Sequence, residues 1–128
     1  MATSTQYGIN LYSLTLTGLD MTVTGATKIG TTDANNRFMP LFGCIILTSI
    51  SGFTSVPRIS VGTNSPNYDN GIGNTTLISL NQANAFLRTD FPNLNKTVPA
   101  GTDVYVNVVT ATVATTYIST ITILGFYY

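Results

Sequence analysis

The sequence predicts an all-β sandwich, and three observations predict it. Short runs rich in β-branched and aromatic residues recur about every ten residues, clusters of Gly, Asn, Asp, Ser and Pro separate them, and no stretch carries a sustained helical period. The pattern is clearest at the C-terminal end. In residues 103–110, Val104, Val106 and Val108 share one face while Tyr105, Asn107 and Val109 share the other. In residues 116–128, Tyr117, Ser119, Ile121 and Ile123 alternate with Thr120, Thr122 and Leu124. This pair reads as a β-hairpin. Neither of its faces is freely polar, so it has to be covered on both sides by a second sheet or a neighbouring subunit.

Taken from the N-terminus, residues 8–17 form the first expected strand, which Gly18, Leu19 and Asp20 break. Short strands follow near residues 21–24 and 27–31, divided at Gly25, and residues 33–36 read as a loop because Asp and Asn satisfy local backbone groups in turns. Residues 38–50 contain the longest apolar run, LFGCIIL at 41–47, which predicts a core strand buried on both faces. Residues 58–62 resume clean alternation with Ile59 and Val61 on one side. Residues 63–74 collect turn-favouring residues and read as a surface loop. A strand is expected at 75–80, with Leu77 opposed to Ile78 and Leu80, then a loop leading into a short strand at 86–89 and another loop at 91–95. Pro99 and Gly101 suit a type I turn feeding the terminal hairpin. The count is about eight antiparallel strands in a single domain over residues 1–128, and hairpins of this length make a jelly roll the expected form. Leu41, Ile45, Leu47, Ile59, Val61, Val104, Val106, Ile121 and Ile123 are the expected core.

Composition then narrows the function. Only 8% of the 128 residues are charged and the net charge is zero, against about a quarter charged in ordinary domains. Thr, Ser and Asn take the polar positions, and such a surface does little to oppose self-association. Lys28, Arg37, Arg58, Arg88 and Lys96 are scattered singly, which argues against a nucleic-acid partner. No run approaches the ~18 apolar residues of a membrane span, and the first residues lack the features of a secretion signal, so synthesis and use from the cytosol of the producer are expected.

Catalysis needs groups that titrate, attack or hold a metal. The chain has no His, no Glu and one cysteine, Cys44, placed inside the apolar strand where it reads as a small hydrophobe. The five carboxylates, Asp20, Asp33, Asp69, Asp90 and Asp103, each stand in or beside a predicted turn. Residues 67–71 have a faint likeness to a calcium loop, but Asp69 is their only carboxylate and they read as a turn. No enzyme, no cofactor and no metal site are therefore expected. Aromatic residues are the better lead. Tyr68, Tyr105, Tyr117, Phe126, Tyr127 and Tyr128 are candidate interface residues, because tyrosine suits boundaries that are apolar at one end and wet at the other.

Two stretches carry a resemblance: residues 56–70 (VPRISVGTNSPNYDN) and residues 98–108 (VPAGTDVYVNV), the latter together with the GFYY end at 125–128. They resemble the small jelly-roll virion proteins of tailed bacteriophages, of the capsid decoration or cement type, over roughly residues 37–128. The resemblance implies a homotrimer made in the host cytoplasm and seated on the capsid surface, with the major capsid protein as partner and a role in stabilising the shell. It supplies no catalytic residues. Related small β-proteins on tails and fibres give the alternative expectation, a carbohydrate-binding or host-recognition module.

Overall fold

Strands β1 (Ala2–Gln6), β2 (Leu11–Asp20), β3 (Gly25–Thr31), β4 (Phe38–Ser51), β5 (Arg58–Gly62), β6 (Ile72–Thr76), β7 (Phe86–Asp90), β8 (Asp103–Thr110) and β9 (Thr116–Tyr127) follow one another with no helix among the described residues. The structure is a computed structural model that describes residues 2–6, 11–90 and 97–128. The expected loop at 91–95 and the first residues of the strand expected at 8–17 lie outside them.

One sheet has the order β1-β2-β9-β4-β7 and the other β3-β8-β5-β6, with every pairing antiparallel. The pairs β2 with β9, β3 with β8, β4 with β7 and β5 with β6 nest inside one another, as in one long hairpin whose tip is the loop at 63–71. Rolling that hairpin sets β4 beside β9 and β5 beside β8 and stacks the two halves face to face. The result is an eight-stranded jelly roll, with β1 added along the free edge of β2.

The terminal hairpin is corrected. Strands β8 and β9 lie in different sheets, and residues 111–115 cross from one to the other. Val104, Val106 and Val108 on β8 and Tyr117, Ile121 and Ile123 on β9 are all buried in one core cluster. Their apolar rows therefore serve the core from opposite sheets. Alternation specifies which face of a strand is buried, and it does not specify which strand is the hydrogen-bonded neighbour.

Local irregularities account for the other departures. Strand β2 runs on through the expected break, because Gly18 takes φ +70° within a register shift between Leu16 and Leu19, so Leu19 is buried as well. No strand forms at residues 21–24. There Asp20 accepts hydrogen bonds from the Thr22 hydroxyl (2.6 Å) and backbone N–H (2.9 Å), which hold its carboxyl below the usual range. In β4 a shift between Pro40 and Phe42 changes the buried parity from Phe38 and Pro40 to Gly43, Ile45 and Leu47. Leu41 stands at that shift and is only half-buried, whereas the other eight expected core residues are buried. The run at 41–47 is thus fully buried on one face only. Strand β6 begins at Ile72, inside the stretch expected as loop, and ends at Thr76. Beyond it Leu80 N–H donates to Leu77 O (3.0 Å) in a turn that buries both leucines and leaves Ile78 75% exposed. At residues 98–101 the Gly101 N–H donates to Asp33 O (2.8 Å), which ties that turn to the β3–β4 loop.

Tyr117 is the largest fully buried side chain, and its hydroxyl donates to Leu80 O at 2.5 Å. Burial pushes its phenol up to about 12, and burial raises Tyr127 in the same sense. A phenol that ionises near 10 when unfolded and higher when folded contributes stability that is complete below pH ~10 and is lost as pH rises through the folded value. The urea midpoint is expected to stay flat through neutral pH and to fall above about pH 10. Tyr117→Phe should lower the neutral plateau by about 1 kcal/mol by stranding the Leu80 carbonyl, and should make the alkaline fall shallower. An equally steep fall in the variant would show that another group controls it.

Candidate interaction surface

The outer face of the five-stranded sheet is built largely from the outward positions of its central strand β9 and of the neighbouring β4. On β9 the odd positions from Tyr117 to Tyr127 are buried, and the alternate positions Ile118, Thr120, Thr122, Leu124 and Phe126 look outward, half-buried. Register places Met39 beside Phe126, Phe42 beside Leu124, Cys44 beside Thr122 and Ile46 beside Thr120. Edge strand β7 then sets Arg88 beside Cys44 and Phe86 beside Ile46. Ile46 is 40% and Phe86 67% exposed.

Neither β4 nor β9 contains a charged residue. Charges flank this row on both sides: Asp20 on β2 stands beside Ile118, and on β7 Arg88 lies 3.3 Å from Asp90 with its guanidinium 4.4 Å from the centre of the Phe42 ring. A short edge strand carrying both signs also discourages further strands from pairing with it. The surface is therefore an apolar stripe with threonines along its centre, Thr15 and Thr122 sharing a hydrogen bond of 3.2 Å. It can bury area against another protein; Cys44, half-buried beside Thr122, is the thiol on it, and no group of metal-ligating side chains is found among the described residues.

The outer face of the other sheet is partly covered by the hairpin tip. The Tyr68 and Tyr105 rings lie 4.6 Å apart, and the Asn107 side chain donates to Asn67 O (3.2 Å). Asn64 laces this loop. Its amide donates to Asp69 Oδ1 (2.7 Å), and its own oxygen accepts from the Asp69 and Asn70 backbones. The carboxylate of the faint calcium-like stretch is thus engaged in holding the loop. Asp33 likewise serves its turn, through Asn35 and Asn36. Asp90 and Asp103 stand at strand ends, the last residue of β7 and the first of β8, with Asp103 accepting from Thr31 (2.6 Å) and lying 3.9 Å from Lys28.

The six aromatic candidates separate into three pairs. Tyr68 and Tyr105 stack on the four-stranded sheet, and Phe126 and Tyr128 lie 6.1 Å apart at the end of the apolar stripe, with Tyr128 exposed. Tyr117 and Tyr127 are buried. Tyr127 packs edge-on to Tyr12 at 4.6 Å and against Phe38 at 5.1 Å, so both tyrosines hold the sandwich itself. Sequence reasoning passed over Phe42, Ile46, Phe86 and Leu124. The available signal was the run at 41–47, apolar at both parities beside a strand with no charge.

Fold and surface together define a small jelly roll with an apolar, threonine-bearing outer face on its five-stranded sheet. The sequence itself gives no match to known protein families or to curated proteins. Among solved structures the chain is similar to a chain of the cyanophage Pam1 capsid asymmetric unit, with a TM-score of 0.60 and 13% identity over 98% of this chain and 91% of that one. It is also similar to a chain of the capsid of Ralstonia phage GP4, with a TM-score of 0.49 and 15% identity over 91% and 83% of the two chains. The first likeness shows a shared fold along essentially the whole chain.

Proposed function

We propose that the protein is a structural component of a phage virion, a decoration or cement protein without enzymatic activity. Made in the host cytoplasm, it seats on the outer capsid surface as a homotrimer and ties neighbouring copies of the major capsid protein together. The observation that carries this reading is the end-to-end likeness of its fold to a chain of a phage capsid asymmetric unit. That argument is one of fold analogy, and the surface supplies the site-level support that analogy needs. The stripe along β4 and β9, from Ile46 and Phe86 to Leu124 and Phe126, is the contact between copies. The Tyr68 and Tyr105 pair on the opposite sheet is the contact with the shell.

Such a clamp needs no chemistry. Three weak contacts on one rigid trimer hold together because the second and third form intramolecularly, raising avidity by about 10² to 10⁴. Without charged residues on the central strands, attachment is expected to vary little between low and moderate salt, as measured by co-sedimentation with capsids. A steep loss of binding with salt would point to an ion-paired surface instead. The direct test is an electron cryomicroscopy map of the virion. Three copies on the outer lattice are expected, and density only at the tail, or nowhere on the particle, overturns the proposal.

A further inference from the structure

We infer that the groove between the β3–β4 loop and the C-terminal strand is a binding site for a neutral saccharide. The half-open groove has a volume of about 610 Å³, within the range of small-ligand sites, and its lining includes Tyr12, Tyr127 and Tyr128 together with Asp33, Asn35 and Asn36. A pyranose presents hydroxyls that both donate and accept, together with patches of C–H that lie flat on aromatic rings. Side-chain amides supply a donor and an acceptor from one group, the carboxylate supplies acceptors, and the tyrosines supply ring faces and edges. Tyr128, 57% exposed at the rim, is the ring available to an incoming ligand.

The polar wall is built before any ligand arrives. Asp33 Oδ2 accepts from the Asn36 amide (2.6 Å) and the Asn35 N–H (3.3 Å), and the Asp33 N–H donates to the Tyr127 hydroxyl (3.1 Å). Arg37 and Tyr128 exchange both backbone hydrogen bonds at 3.0 Å, which fixes the loop to the end of the chain. A site held this way loses little entropy on binding. Charge selects the ligand class. The groove wall carries the Asp33 carboxylate, while the nearby Arg37 guanidinium is turned toward Thr97 Oγ1 (2.9 and 3.2 Å). Phosphorylated or acidic sugars would meet a like charge with no cation among the described residues that line the groove, and uncharged ones would not. This inference does not rest on the capsid reading and is scored on the free protein.

The test is saturation-transfer NMR on the intact chain with the methyl glycosides of glucose, galactose, mannose and N-acetylglucosamine, and with methyl glucuronide as the anionic counterpart, at millimolar concentration where single-sugar affinities lie. At least one neutral glycoside should receive saturation and shift the Tyr12 and Tyr128 ring signals. Asn36→Ala and Tyr128→Ala, both at exposed positions, should weaken that binding at least tenfold, and Tyr68→Ala on the opposite sheet should bind as the parent does. Melting temperature and near-ultraviolet circular dichroism matching the parent's, measured on each variant, guard against a folding artefact. Failure of all four neutral glycosides, binding retained in the Asn36 and Tyr128 variants, or preference for the glucuronide would each overturn the inference.

Discussion

Replacing Gly125 with alanine is expected to cost the chain most of its stability. Gly125 stands on the inner parity of β9, with Tyr12 beside it on β2 and Pro40 on β4. A Cβ there would fall on the Met39 carbonyl oxygen and against the Phe38 ring. Neither can give way. The carbonyl belongs to the β4–β9 ladder, and Phe38 is 1% exposed, wedged against Tyr127 and tied to Val98 by paired backbone hydrogen bonds. Overpacking that cannot relax by a rotamer change costs about 3 kcal/mol or more, against a total stability of roughly 5–15 kcal/mol. Thermal unfolding should show Gly125→Ala melting far below the parent or failing to fold. Gly73→Ala in β6, where a Cβ would meet nothing, should stay within about 1 kcal/mol of it. Equal melting of the two variants would mean that the β4–β9 contact at Gly125 is looser than described.

The fold class was legible because it depends on local signals. Parity in β5, β8 and β9, and the turn chemistry around Gly25, residues 33–36 and residues 63–71, carry information within a few residues of themselves. Pairing does not. That β8 lies with β3 and β5, and β9 with β2 and β4, follows from how the long hairpin rolls, which is a property of the whole chain. Bulges are equally hidden, since the shift at Leu41 changes no residue type and yet moves one leucine out of the core and alters the facing of all that follows.

The same distinction governs the aromatic candidates. Tyr117 and Tyr127 share parity with Ile121 and Ile123, so assigning the isoleucines to the core already assigned those tyrosines inward and Phe126 and Tyr128 outward. That much could be read along one strand. The groove could not, because Tyr12, the loop at 33–36 and Tyr128 are far apart in sequence and meet only once β2 and β4 flank β9. A composition with almost no charge pointed to a weakly charged surface, while leaving open which sheet presents the apolar face.

Charging that face is expected to separate the copies while leaving each one folded. Ile46 and Phe86 are register neighbours at the exposed side of the stripe, and both already meet solvent in the single chain, so Ile46→Glu with Phe86→Glu removes little core packing. In a trimer the same two carboxylates would be desolvated against threonines and hydrocarbon, with Arg88 already paired to Asp90, and each would cost several kcal/mol. Summed over three contacts, that exceeds what an assembly of ordinary affinity can absorb. Sedimentation should show the parent as a trimer at micromolar concentration and the double variant as a monomer whose melting temperature lies within a few degrees of the parent's. Capsid retention should fall by the lost avidity, about a hundredfold or more, although Tyr68 and Tyr105, the proposed contact with the shell, are untouched. A parent that sediments as a monomer, or a double variant that remains trimeric, would remove this face from the assembly.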